Sequence, residues 1–296
     1  VEVQGDENIE PYESFFVNLF NPSNASIGDS QAIVTITDDD VDPNFPQVKF
    51  PDDAGMVNIK DYGAKGDGVT DDTAAIQQAL AENRVIHFPN GTYLVSDTLQ
   101  WGDTKRLVLQ GESQDKTIIK LKDNLAAFNN LSSPKPLITT FEGESTGQAF
   151  QNSIYNLSVD VGAGNAGAIG IRFTSNNQGG LRDVTIRSSD PNNLGKTGLA
   201  LTKPWPGPSL FKNVTVEGFN YGVEVNHPEY SNVFENLTLR DQKIAGISNN
   251  GNILSIRGLT SNNSVPVIEN NHDKGMITLI DGNFEGGSSQ TSAINL

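Results

Sequence analysis

The stretch Tyr221-Gly222-Val223-Glu224-Val225-Asn226-His227-Pro228-Glu229-Tyr230 is the most chemically loaded in the sequence. It holds two glutamates, two tyrosines and one of only three histidines. If Val223 and Val225 point into a core, the alternation of a strand turns Glu224 and Asn226 outward. The strand end then delivers His227 and Glu229 in a loop. Glycosidic hydrolysis needs two carboxyls about 5 to 9.5 Å apart. Glu224 and Glu229 are the candidate acid/base pair, with His227 as a polarising group. Proton abstraction beside a uronate carboxylate needs instead a base and nearby cations. Lys203 and Arg240 are the candidate cations. Trp205, Tyr221 and Tyr230 offer flat faces for a sugar ring, and Asp241 and Lys243 offer polar contacts to it. Asp160 and Arg172 are weaker candidates on an earlier repeat. Each group also has a plain structural reading: a polar loop end for the Glu224 cluster, a solvated charged face for Arg240, a cover over the core edge for Trp205. His87 lies in an apolar strand and reads as structural. His272 and Asp273 have no visible partner.

These residues ride on a repeat. Asn156-Leu157-Ser158-Val159 leads to Ala168–Phe173, Asp183-Val184-Thr185-Ile186 to Gly198–Leu201, and Asn213-Val214-Thr215-Val216 to Gly222–Val225. Asn236-Leu237-Thr238-Leu239 leads to Gly246–Asn249, and Gly258-Leu259-Thr260 to Val265–Ile268. The anchors Leu157, Val184, Val214, Leu237, Leu259 and Phe284 are 27, 30, 23, 22 and 25 residues apart. Short alternating strands at such a period signal a solenoid. A leucine-rich repeat is the rival, but no LxxLxL frame persists and no helix fits between the doublets. Asn or Asp before an anchor suits side-chain bonding along stacked turns, or simply the turn itself. Residues one period apart stack roughly 5 Å apart, so Arg240 or Lys243 is expected near Glu224.

The solenoid has to begin somewhere, and Val57–Leu80 has the pattern of a start. Val57–Tyr62 reads as a strand. Gly63, Gly66 and Gly68 follow, and glycine supplies positive φ for tight turns. Thr70-Asp71-Asp72-Thr73 offers N-cap oxygens to a helix whose Ala75, Ile76, Ala79 and Leu80 share one face. Gly63-x-x-Gly66-Asp67-Gly68 has no Walker lysine, and its acids would repel phosphate.

The ordered set Asp61-Tyr62-Gly63-Ala64-Lys65-Gly66-Asp67-Gly68, Thr70–Thr73, Ala75-Ile76 and Phe88-Pro89-Asn90-Gly91-Thr92-Tyr93 resembles the opening of the pectate-lyase-like superfamily. That resemblance implies a right-handed parallel β-helix, its N-terminal end capped by the helix. It also implies a saccharide partner lying along an outer groove. It does not imply one reaction, because the superfamily holds hydrolases, lyases, uronate epimerases and phage tailspikes. Tyr221-Gly222-x-Glu224…His227-Pro228-Glu229 faintly resembles the catalytic strand of alginate C5-epimerases, with Glu where that pattern has Asp and with different spacing. The Gly-His-Gly and Arg-x-Lys motifs of polygalacturonases do not occur.

Composition narrows the classes. The 296 residues carry a formal net charge of −16, which argues against nucleic acid as a partner. There is no cysteine, so no disulfide and no thiol nucleophile. No run approaches the 18 apolar residues of a membrane span. The chain begins without Met and in mid-pattern, and a longer parent protein with further domains is expected.

Residues 1–40 read as a separate unit. Gly5-Asp6-Glu7-Asn8-Ile9-Glu10-Pro11-x-Glu13-x-Phe15-x-Val17-x-Leu19 and the closing Thr35-Ile36-Thr37-Asp38-Asp39-Asp40 resemble the C-terminal half of a Calx-beta domain, an immunoglobulin-like sandwich. The resemblance implies Ca²⁺ on Asp6, Glu7, Glu10, Glu13, Asp38, Asp39 and Asp40, and hard oxygen ligands from two loops suit that ion. No organic cofactor is expected. Residues 41–54 form a proline-rich linker.

The expectation is therefore an all-β chain: a partial sandwich at 1–40, a linker, and a β-helix with a short capping helix at 55–296. It is expected to be an extracellular or cell-surface polysaccharide-active protein, a glycoside hydrolase or polysaccharide lyase. The alternatives are a non-catalytic adhesive β-helix, an epimerase-like enzyme, and a trimeric tailspike.

Overall fold

The computed structural model describes residues 13–24, 27, 30–36, 54–101, 106–142, 149–287 and 291–296. The chain divides into two compact units, Val1–Gln47 and Val48–Leu296. In the first, strands Glu13–Asn18 and Gln31–Ile36 pair antiparallel. Asp6, Glu7, Glu10 and Asp38–Asp40 lie outside the described residues. The proposed linker lies outside them as well, apart from Ala54.

The second unit is a parallel β-solenoid of about nine turns. Its strands form two sheets, one of eight strands and one of twelve, counted among the described residues. The single α-helix described, Thr73–Glu82, buries Ile76, Ala79 and Leu80. Asp72 stands at its N-cap, yet its carboxylate does not cap the helix. Instead it accepts the backbone N–H groups of Lys65 (2.7 Å) and Gly66 (2.9 Å), so it ties down the glycine turn. Asp67 accepts from the N–H groups of Thr70 and Val69 and from the Thr70 hydroxyl, which holds its carboxyl down at about 2. The expected strand at Val57–Tyr62 is shorter: Val57–Asn58 is strand and Ile59–Tyr62 is a 3₁₀ turn. The reason is local, because the Asn58 side chain accepts the Lys60 N–H and competes with strand pairing.

Each middle turn of the solenoid is one long strand and one short strand. The long ones are Ser153–Asp160, Gly179–Arg187, Ser209–Glu217, Asn232–Arg240, Ile253–Asn262 and Met276–Glu285. The short ones include Ala168–Arg172, Thr197–Leu201, Tyr221–Val225 and Ala245–Asn249. Every long strand bends at one left-handed residue: Asn156, Asp183, Asn213, Asn236, Gly258 or Asp281. Asn and Asp tolerate that conformation better than other non-glycine residues. The Asn213 amide donates to Asp183 Oδ1 (2.7 Å), and the Asn236 amide donates to Asn213 Oδ1 (2.9 Å). A side-chain ladder therefore runs along the bend.

Inside the bend, Leu157, Val184, Val214, Leu237 and Leu259 stack in register, all at most 1% exposed. Phe211 lies edge-on to Phe173 and stacked on Phe234, with centroids 5.5 and 4.8 Å apart. Burying a side chain of this size stabilises by roughly 1.5–3 kcal/mol, and the stacked columns of like residues join into one continuous core along the solenoid. Gly170, Gly198, Gly222 and Gly246 form another column. A Cβ on Gly198 would stand 2.2 Å from Val216 Cγ1, so the close approach of the two sheets admits no side chain there.

Candidate functional site

The short strands set the outer face on which Glu224 lies. Successive strands place Thr139, Arg172, Ala200, Glu224, Ser248 and Glu269 in one register column. The adjoining column Ile138, Ile171, Leu199, Val223, Ile247 and Ile268 is core. Val223 and Val225 are fully buried, and Glu224 points outward between them. With strands about 4.8 Å apart, the backbones of Arg172 and Glu224 are about 10 Å apart across Ala200.

Two charged groups occupy this face. In the first, Glu142 accepts the Thr139 hydroxyl (2.7 Å), pairs with Arg172, and stands 3.3 Å from Lys203 Nζ. Lys203 also donates to the Phe141 carbonyl at 2.7 Å. Burial opposes the Glu142 charge, but the Thr139 hydroxyl, Arg172 and Lys203 together hold its carboxyl below the ordinary value. In the second, Glu224 accepts the Thr197 hydroxyl, and Lys196 Nζ lies 3.5 Å away. The same ammonium sits 4.2 Å above the centroid of the Tyr221 ring. Burial, then the charges of Glu224 and Glu269, push the Tyr221 hydroxyl up.

Glu229 lies in the loop beyond Val225 and accepts the indole N–H of Trp205. Its own N–H donates to His227 Nδ1 at 3.3 Å. Trp205 and Tyr230 are 38% and 53% exposed, so both rings remain open to a ligand. The structure thus groups Lys203, Trp205, His227 and Glu229 on the loops that leave the short strands, and Tyr221 and Glu224 on a strand. Among the described residues, Glu224 and Glu229 share no hydrogen-bonding partner.

Arg240 goes elsewhere. It ends a long strand and pairs with Glu217, its register neighbour, at 3.0 Å. Asp241 and Lys243 lie exposed in the turn after it. The cation beside Glu224 is Lys196, from the turn before the preceding short strand rather than from the following coil. A corner of the solenoid separates the end of a long strand from the short-strand face, and spacing along the chain does not reveal that corner. Sequence reasoning missed Glu142, Thr139, Lys196 and Thr197. Thr197 lies in register with Tyr221, and that repeat was its one available signal. Glu142 follows Lys135–Thr139, which carries no repeat anchor.

Among the described residues, no three His, Asp or Glu side chains could hold a metal ion together. Glu13 opens strand Glu13–Asn18, and the other expected calcium ligands lie outside the described residues. No described helix is long and apolar enough to cross a membrane.

The solved N-terminal fragment of bacteriophage phi29 gene product 12 has a TM-score of 0.61 to this chain at 19% identity, covering 78% of this chain and 42% of that one. That likeness is one of fold alone. Glucan 1,3-beta-glucosidase of Cochliobolus carbonum is 25% identical over 206 residues, covering 64% of this chain and 25% of that protein. Alginate lyase 7 of Azotobacter vinelandii is 40% identical over 76 residues, covering 22% of this chain and 9% of that protein. The chain spans a quarter or less of these two relatives' lengths. Parallel coils, a capped first turn and a charged outer face agree with the match of residues 56–277 to one family model, and the chain belongs to the family it describes, the rhamnogalacturonase A/epimerase, pectate lyase-like family.

Proposed function

We propose that the β-helix binds an acidic polysaccharide along the outer face of the eight-stranded sheet and cleaves it by hydrolysis or elimination. The observation that carries this reading is the column on which Arg172 and Glu224 flank Ala200, with Lys196, Lys203 and Glu142 attached to it. Glu224 is the acid–base carboxyl in this reading. Arg172, Lys196 and Lys203 neutralise substrate carboxylates, and neutralisation of this kind stabilises charge that develops beside a uronate. Trp205 stacks on a sugar ring, and Glu229 and His227 contact the chain from the loop. The activities named for the glucan 1,3-beta-glucosidase and the alginate lyase support a saccharide substrate.

Reducing-end and unsaturated-uronate assays across a panel of acidic and β-linked polysaccharides test the reading. Product that disappears in Glu224→Gln supports it, and absence of turnover on every polymer sinks it. An adhesive, non-catalytic role is favoured by one specific observation. Both Glu142 and Glu224 are already paired with cations, so the face is largely self-neutralised. Glycan-array binding without turnover would select that role.

Residues 1–40 fit the closing part of a Calx-beta domain, and the antiparallel pair Glu13–Asn18 and Gln31–Ile36 supports that reading. Such a unit would bring Ca²⁺ through its acidic loop ends and an extracellular setting within a longer protein. Calcium titration followed by calorimetry tests it, and the absence of a binding isotherm excludes the ion.

A further inference from the structure

A hollow of about 570 Å³ opens on the twelve-stranded sheet, away from the Glu224 column. That volume is in the range of small-ligand sites. Its floor follows the register column Ser153, Gly180, Leu210 and Val233. Gly180 keeps the floor low: a Cβ there would stand 1.8 Å from the Leu210 carbonyl oxygen. Gln178 and Pro208 contribute to its lining, and so do Tyr155 and Arg182.

Arg182 is the unusual member. It is exposed, its guanidinium carbon lies 5.5 Å from the Tyr155 ring centroid, and it has no ion pair among the described residues. Its register neighbour on the next coil, Lys212, is paired with Glu235, whereas Arg182 and Arg257 of the same column have no ion pair among the described residues. In a chain of net charge −16, an arginine without a carboxylate beside a hollow is a vacant anion partner. A guanidinium matches a planar carboxylate in a two-bond fork. Leu210, Val233 and Pro208 supply exposed apolar surface, which suits the C–H face of a sugar ring, and Gln178 supplies an amide.

We infer that this hollow is a second carbohydrate subsite, which takes a uronate residue of an acidic glycan with its carboxylate on Arg182 and its ring against Tyr155, Leu210 and Val233. The inference goes beyond the reading above and does not need turnover. The segment Thr202–Pro208 links the two faces, because it carries Lys203 toward Glu142 and ends at Pro208 on the hollow.

The test is calorimetric binding of a panel of hexameric uronate oligosaccharides and of their carboxyl-reduced forms to the whole chain. Arg182→Gln is expected to weaken binding of the acidic oligomer about tenfold, the loss of one charged fork, and to leave the reduced form unchanged. Val233→Trp, which fills the hollow, is expected to remove the site that Arg182→Gln weakens, for both forms, and to leave binding at the Glu224 face in place. Repeating the titrations in the Glu224→Gln chain, where turnover is stopped, keeps heat of cleavage out of the isotherm. Circular dichroism and melting confirm that each variant is folded, and Arg182→Gln alters an exposed side chain. Unchanged affinity in Arg182→Gln overturns the inference. So does a Val233→Trp isotherm identical to that of the unsubstituted chain, or failure of every acidic oligomer to bind the unsubstituted chain.

Discussion

Lys203 Nζ lies 3.3 Å from Glu142 Oε2, although the two residues are 61 apart in sequence. Arg172 meets the same carboxylate from a third coil. One glutamate thus joins three turns of the solenoid on the face that carries Glu224.

Glu142 makes stability depend on acid. Its carboxyl is held below the ordinary value of 4.5 in the fold, so as pH drops the unfolded chain takes up that proton first. Its contribution is present above that value and is lost as pH falls through the folded pKa. Glu142→Gln is expected to flatten the fall in melting temperature below about pH 4.5, leaving neutral-pH stability lower by about 1–3 kcal/mol, because Arg172 and Lys203 lose their partner. Thermal melts from pH 7 to pH 2.5 check both parts.

Trp205 and Glu224 are expected to separate binding from chemistry. Trp205→Ala removes an exposed ring and its bond to Glu229, and should raise KM several-fold with kcat little changed. Glu224→Gln should lower kcat by about 10²–10⁴, the usual weight of a general acid or base, with KM nearly preserved. Steady-state kinetics on whichever polysaccharide proves to be turned over decide this. A kcat that is unmoved in Glu224→Gln removes that residue from the acid–base role.

The bend ladder predicts a local stability effect. Asn213 has φ of 52° and takes part in two ladder hydrogen bonds. Asn213→Val removes both and forces a β-branched residue into the left-handed region, at an expected cost of about 2–4 kcal/mol. Asn213→Gly keeps the backbone and should cost about half as much. Urea unfolding of both variants gives the comparison.

Adjacent residues of one strand should respond oppositely. Leu237 is fully buried in its column, and Leu237→Ala should cost about 2–5 kcal/mol. Thr238 faces outward in register with Thr215 and Thr260, and Thr238→Ala should stay within about 0.5 kcal/mol. Equal effects at the two positions would show that the strand's inward and outward faces are misassigned.

The solenoid was legible because its physics is local and repeated. A buried anchor, a polar neighbour and a left-handed Asn, Asp or Gly recur along the middle coils, and each recurrence is visible in the chain itself. Asn156, Asp183, Asn213 and Asn236 were readable as turn residues, and even the ladder joining Asp183, Asn213 and Asn236 followed from the repeat. The outward turn of Glu224 was readable too, from the apolar residues on either side of it.

The partners of those outward residues were not readable. Lys196 reaches Glu224, Glu142 reaches Arg172 and Lys203, and Arg240 turns to Glu217. Sequence by itself determined the fold class and the side of the strand on which the anchors and Glu224 lie, because periodicity fixes those one strand at a time. Only the tertiary structure decided which charges meet. That depends on the length of each corner turn and on the register between coils, and segments such as the one bearing Glu142 carry no repeat from which register could be counted.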